Sequence, residues 1–241
     1  MATDGHGTQA VERVRVTVVA GGVLGLVVGG IGSRLGMLAL RLTSPDHVRG
    51  IESDDGFTIG QVTLSGTLIL LSVCTAVGVI GAFAYRLVAP ALTGPPWLHS
   101  ATVALGAGAV VGAMVIHPDG VDFTLLEPAW LAIAVFVAIP LVFGAAIGPT
   151  VDRCDRPDAW VNRGRWLPWL LAVAVLALAF VILPAVLVAG AVMVVWAAIG
   201  GLGAVRRLRS STVLINVLRV GWIAVAGLGL VILVEDVAAI T

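Results

Sequence analysis

The sequence contains no lysine: all fourteen of its basic side chains are arginine. Several chemistries leave with that one amine. A retinal or pyridoxal Schiff base is built on a lysine nitrogen, and the phosphate-cradling loop that ends in Gly-Lys needs the same group, so both are excluded. Charge of either sign is scarce, at 12% of residues against about a quarter in soluble domains. It also sums to zero, which removes the concentrated basic surface that nucleic acid requires of a partner. Cysteine is nearly absent. Cys74 lies inside an apolar run and Cys154 in a charged stretch, so neither a disulfide framework nor a zinc knuckle follows.

What fills the chain instead is hydrocarbon. Of its 241 residues 59% are hydrophobic, and apolar runs near or above the roughly 18–20 residues that cross about 30 Å of lipid recur along the whole length. The spacing predicts seven spans: Val14 to Leu40, Gly60 to Val88, Leu98 to Ile116, Leu126 to Gly148, Trp166 to Leu183, Ala185 to Val205 and Val213 to Val234. The unbroken run from Leu167 to Val205 is divided because a single helix of that length would extend about 58 Å, near twice the hydrocarbon thickness. A tight turn near Pro184 resolves it. Residues 1–13 read as a cytoplasmic tail and 237–241 as a tail on the other side. The first apolar stretch outruns a signal-peptide core and carries no A-x-A cleavage pattern, so it reads as a retained span. Residues 14–236 then form one transmembrane domain, with outer loops at 41–59 and 117–126 and an inner loop at 149–165.

Arginine placement supports the same division, because cytoplasmic loops accumulate basic residues. With seven spans, Arg13, Arg15, Arg86, Arg153, Arg156, Arg163, Arg165, Arg206, Arg207 and Arg209 fall on the side of the N-terminal tail, and only Arg41 and Arg49 on the other. Acids divide the opposite way, with Asp46, Glu52, Asp54, Asp55, Asp119, Asp122, Glu127, Glu235 and Asp236 on the outer side. The expected fold is an all-α membrane protein, a seven-transmembrane-helix bundle in the cell membrane. Its N-terminus is inside, its C-terminus outside, and a small acidic cap covers the outer face. Membrane lipids are its immediate partners, with a membrane protein or a second copy of the chain as the macromolecular ones.

Small residues at helical spacing predict where spans approach one another: Gly21, Gly25 and Gly29 in the first, continued on an adjacent face by Gly32 and Gly36, and Ala104, Gly108 and Gly112 in the third. Pro140 sits inside the fourth span, where its ring removes a helical hydrogen bond and predicts a kink. Such breaks line cavities in some transporters and serve packing alone in most spans.

The chemistry-bearing residues gather at the outer loops. "HPDGVDFTLLEP", residues 117–128, sets His117, Asp119 and Asp122 on the same side as His47, Asp54 and Asp55 of the longer first loop. Imidazole and carboxylates suit zinc or another divalent metal, which could activate water beside the lipid surface. The plainer reading is a pair of solvated turns bent by Asp-Gly, with Asp54 to Phe57 and Asp119 to Phe123 forming turns or a small strand pair. Seven-span metal hydrolases of the ceramidase and adiponectin-receptor type use three histidines with an aspartate and a serine. Here His6 lies in the tail and His99 near the inner end of the third span, so the pattern is incomplete.

Three further positions carry polar groups at membrane depth. Arg34, two thirds through the first span, is expected to snorkel outward or to pair with Asp54, Asp55 or Glu127, or else to face a substrate. Asn216 and Arg219 share a face at the inner end of the last span and suit a helix carbonyl or a lipid phosphate. Glu127 before Pro128 fits the first turn of the fourth span, where a carboxylate complements the helix dipole. The fourth loop, "VDRCDRPDAWVNRGRW", reads as an inner anchor or a protein-docking surface.

At "SDDGFTIG" and "DGVDFTLLEPAWLAIAVFVAIP" the chain resembles a group of uncharacterised multi-pass membrane proteins from high-GC actinobacteria, over roughly residues 14–150. That resemblance implies a membrane location and lends no activity. With no recognisable nucleophile or nucleotide motif and an incomplete metal set, the sequence points first to a non-enzymatic scaffold, accessory subunit or small-solute transport protein. The rival is an outer-face metal-dependent hydrolase acting on a lipid or envelope precursor through His117, Asp119 and Asp122.

Overall fold

A computed structural model describes residues 4–53, 56, 61–159, 161, 166–178 and 211–240, and every regular element among them is helical. The first helix, α1 (Asp4–Leu24), passes without a break through a π-helical segment, Gly25–Ile31, into α2 (Gly32–Thr43). After a single 3₁₀ turn, Asp46–Val48, come α3 (Leu64–Val88) and α4 (Pro96–Val115), separated by a second such turn at Ala89–Ala91. A one-turn helix, α5 (Val121–Thr124), precedes α6 (Ala129–Cys154). The remaining described helices are α7 (Leu167–Leu178) and α8 (Thr212–Ile240).

Five stretches are long and apolar enough to cross a membrane: Glu12–Thr43, Leu64–Ala91, Pro96–Val115, Ala129–Cys154 and Thr212–Ile240. The shortest, at 20 residues, spans about 30 Å, the thickness of the hydrocarbon layer. Large apolar side chains such as Leu42, Leu64, Leu105, Met114, Val213 and Val220 stand exposed on their outer faces, an arrangement that water would penalise and lipid does not. The chain is a membrane protein. The expected span Ala185 to Val205, the turn at Pro184, and Arg163, Arg165, Arg206, Arg207 and Arg209 lie outside the described residues.

Local chemistry sets the helix ends where periodicity had left them loose. The Thr63 hydroxyl accepts the Gly66 amide at 3.1 Å, so α3 begins at Leu64 rather than Gly60. Pro96 occupies the first position of α4, where its missing N–H costs nothing, and the helix starts two residues ahead of Leu98. At the other extreme α6 continues past the expected end at Gly148, through Pro149, to Cys154. A membrane helix absorbs the one hydrogen bond that a proline removes, and α6 stops only beyond Asp152 and Arg153.

Glycine decides which helices touch. A Cβ on Gly21 would sit 2.5 Å from the Gly78 carbonyl oxygen, and one on Gly25 would sit 2.8 Å from the Gly78 Cα, so α1 and its π continuation meet α3 backbone to backbone. In the same way Gly144 of α6 lets the Ala104 Cα of α4 approach to 2.8 Å of where its own Cβ would be. Both expected stripes are therefore contact faces. Helix α8 runs parallel to α4, with Trp222 beside Gly106 and Leu233 beside Gly112.

Two apolar clusters tie the ends of the bundle. At one end, Val16, Val19 and Ala20 of α1 pack with Ala82 of α3, Ile147 and Val151 of α6, and Ala172 of α7. At the other, Leu40 of α2 and Val48 of the first loop join Ile116, Phe123, Leu126, Ala132 and Leu233. The first is called here the arginine end, because Arg86, Arg153 and Arg156 border it, and the second the acid end.

Candidate functional site

At the acid end the two expected outer loops do meet, through Ser44 and Glu127. The Ser44 hydroxyl donates to the Glu127 carbonyl at 3.2 Å and accepts the Glu127 amide at 3.1 Å. Phe123, buried on α5, stacks at a tilt on Phe136 of α6 with ring centroids 5.3 Å apart. The turn falls on Pro118 and Asp119, closed by the Gly120 amide on the His117 carbonyl at 3.0 Å, rather than on Asp-Gly, while Val121–Thr124 coil into a helical turn instead of a strand. Glu127 is not in the first turn of α6. The helix begins at Ala129 behind Pro128, so the carboxylate stands outside it, exposed.

The candidate ligands at this end diverge in environment. His47, His117 and Asp119 are exposed, whereas Asp122 is buried, with 7% of its surface accessible. Among the described residues no three His, Cys, Asp or Glu side chains gather closely enough to hold a metal ion. Asp54 and Asp55 lie outside the described residues. Arg34 is half-buried in α2, its Nη1 3.9 Å from the Met37 sulfur.

At the arginine end the polar groups converge. Arg86, on the last turn of α3, holds the Asp155 carboxylate through both terminal nitrogens at 2.8 Å and donates its Nε to the Thr17 hydroxyl at 2.9 Å. That hydroxyl in turn donates to the Arg13 carbonyl at 2.6 Å. Arg219 of α8 donates its Nε to the Ala91 carbonyl at 3.0 Å, while Asn216 is exposed. Arg15 lies over the Trp169 ring at 5.8 Å, a cation–π contact.

Between the two ends lies a cavity of about 510 Å³, walled by the π segment, α3, α4, α6 and α8. Its existence follows from the residues around it. Gly25, Gly29, Gly78 and Gly144 bring backbones together but put no side chain into the space, and Pro140 lies on its wall. Most of the remaining wall is branched aliphatic and phenylalanine; Ser33, Cys74, Tyr85 and Trp222 supply its polar edges. The Trp222 Nε1 is buried without a hydrogen-bond partner. A second cavity, about 520 Å³, opens at the arginine end between the first turn of α4 and the last turn of α6. Tyr85, Val103 and Gly144 line both spaces, so a single layer of residues divides them.

No family model, no curated protein and no solved structure matches the chain.

The sequence expects the candidate residues mainly at the acid end, whereas these two cavities lie between the ends and at the arginine end. Tyr85 is the sole tyrosine of the chain, and a lone polar aromatic ring within an apolar span was the available signal. The approach of His99 to Arg153 and Arg156 had none, since it depends on α4 and α6 crossing with their polar ends together.

Proposed function

We propose that the chain is a seven-span membrane protein that accepts a small, largely apolar solute into the central cavity, acting in transport or binding rather than as a scaffold. The cavity carries this reading. Close-packed interiors keep few voids larger than a water molecule, and empty volume costs stability. A space of about 510 Å³ falls in the ordinary range of small-ligand sites, about 300–1,000 Å³. The mixed wall, mostly aliphatic with a few polar edges, matches such sites in character as well.

Seven spans are favoured by parity. Helix α6 ends and α8 begins at the arginine end, since Asp155 pairs with Arg86 and Arg219 bonds Ala91, both at the end of α3. An even number of crossings therefore separates them, and α7, leaving from the same end along α1, supplies the first. The positive-inside bias then favours a cytoplasmic arginine end. The outer-face metal hydrolase draws no comparable support, because His117 and Asp119 are exposed while Asp122 is buried.

The test uses Cys74, which lines the cavity, after Cys154→Ser leaves it as the single thiol. A charged, water-soluble thiol reagent added to sealed vesicles is expected to modify Cys74 from at least one side. Complete protection from both sides in intact vesicles, with reaction restored on denaturation, would leave a closed scaffold.

A further inference from the structure

Resting on that cavity reading, we infer that the solute is a single-chain amphiphile with an anionic head. Arg153, Arg156 and the first turn of α4 receive the head, and the tail passes Tyr85 into the central cavity.

The vestibule at the arginine end has the chemistry of an anion site. Arg153 and Arg156 bring two guanidinium groups to its wall against one carboxylate, Asp152. Guanidinium is the side chain best shaped for phosphate and carboxylate oxygens. On the facing wall are Trp97, His99 and Ser100, from the first turn of a 20-residue helix. The positive dipole end of α4 therefore borders the same space, although its Leu98 and His99 amides already bond the Pro95 carbonyl. His99 is half-buried on that wall, and its Nε2 is covered and has no hydrogen-bond partner; a head group that displaces the atoms covering it would supply one.

The vestibule alone would suit any small anion, and its neighbour makes the ligand amphiphilic. The central cavity behind it is dominated by aliphatic and phenylalanine side chains, with no Asp, Glu, Arg or His among the described residues of its wall. Tyr85 stands between the two. Its hydroxyl sits where a Cβ on Gly148 would approach to 3.0 Å, so the glycine keeps space around it on the vestibule side. The two spaces touch only across Tyr85, Val103 and Gly144, a partition that one displaced ring would open to one chain.

The experiment measures protection of Cys74 from maleimide in Cys154→Ser protein, full length, in phosphatidylcholine vesicles. Dodecyl phosphate, dodecanol and dodecyltrimethylammonium are compared at equal membrane mole fraction. Dodecyl phosphate is expected to protect at about tenfold lower concentration than the other two, the scale of one hydrogen bond to a charged group. Arg153→Gln with Arg156→Gln is expected to bring it level with dodecanol while leaving dodecanol protection unchanged. Equal protection by all three heads would overturn the anionic head and leave the cavity reading standing. Protection by none, with Cys74 still reactive, would remove both. The head-group series needs no variant beyond the cysteine background, so loss of folding in the arginine pair cannot obscure it.

Discussion

Arg86 grips the Asp155 carboxylate through two parallel 2.8 Å hydrogen bonds, across 69 residues of sequence. Its third donor reaches Thr17, so one guanidinium joins α1, α3 and the end of α6. The pair is partly exposed, with 23% and 38% of the two side chains accessible. Arg86→Ala is expected to destabilise the folded protein by about 1–3 kcal/mol, the cost of hydrogen bonds to a charged group lost together. Arg86→Lys keeps the charge but not the fork, and should recover less than half of that. Denaturation in mixed micelles measures both, and a double-mutant cycle with Asp155→Asn isolates the coupling.

Gly78 of α3 is expected to tolerate no side chain. A Cβ there would lie 2.6 Å from the Gly25 Cα, and neither backbone can yield without parting α1 from α3. Gly78→Ala should cost about 1–3 kcal/mol or more in the same denaturation assay. Gly221→Ala in α8, with none of the described residues within 4 Å, is the matched control, expected within about 0.5 kcal/mol of the parent or slightly stabilised.

Ser44→Ala removes the donor and the acceptor that bind the Glu127 backbone. The expected loss is about 1–2 kcal/mol, and its location is more telling than its size. Hydrogen exchange at the Glu127 amide should accelerate, while the arginine-end amides keep their protection.

Topology is checked with two exposed positions in a background lacking Cys74 and Cys154. Asp119→Cys and Asp158→Cys are expected to react with an impermeant reagent from opposite sides of the membrane, the first in intact cells and the second only after permeabilisation. Labelling of both from one side would invalidate the assignment of ends.

Much of the fold was legible because lipid imposes one rule on every span. Hydropathy located the five stretches long and apolar enough to cross, and the small-residue spacing marked the first and third spans as close-packed without saying which helices they meet. Helix ends were read less well. Their positions turn on single hydrogen bonds such as Thr63 to Gly66, which no average over a window registers. The site was legible least. Charged loops stand out in so apolar a chain and point to His117 and Asp119, yet both are exposed. The cavity is built from glycine, valine and phenylalanine, residues whose meaning depends on which helices they come to face.

The π-helical segment Gly25–Ile31 gives the first span a property that a straight α-helix would lack. Before and within it, Gly21, Gly25 and Gly29 lie against α3; beyond it, Gly32 and Gly36 lie against Ile139 and Val135 of α6. The wider coil acts as a splice that resets the angular phase of the rod, so that a single continuous ribbon serves two different neighbours in turn. Regular α winding of the same residues would instead carry everything downstream about 100° further round, swinging Gly36 off Val135 and re-aiming Arg34 around the axis.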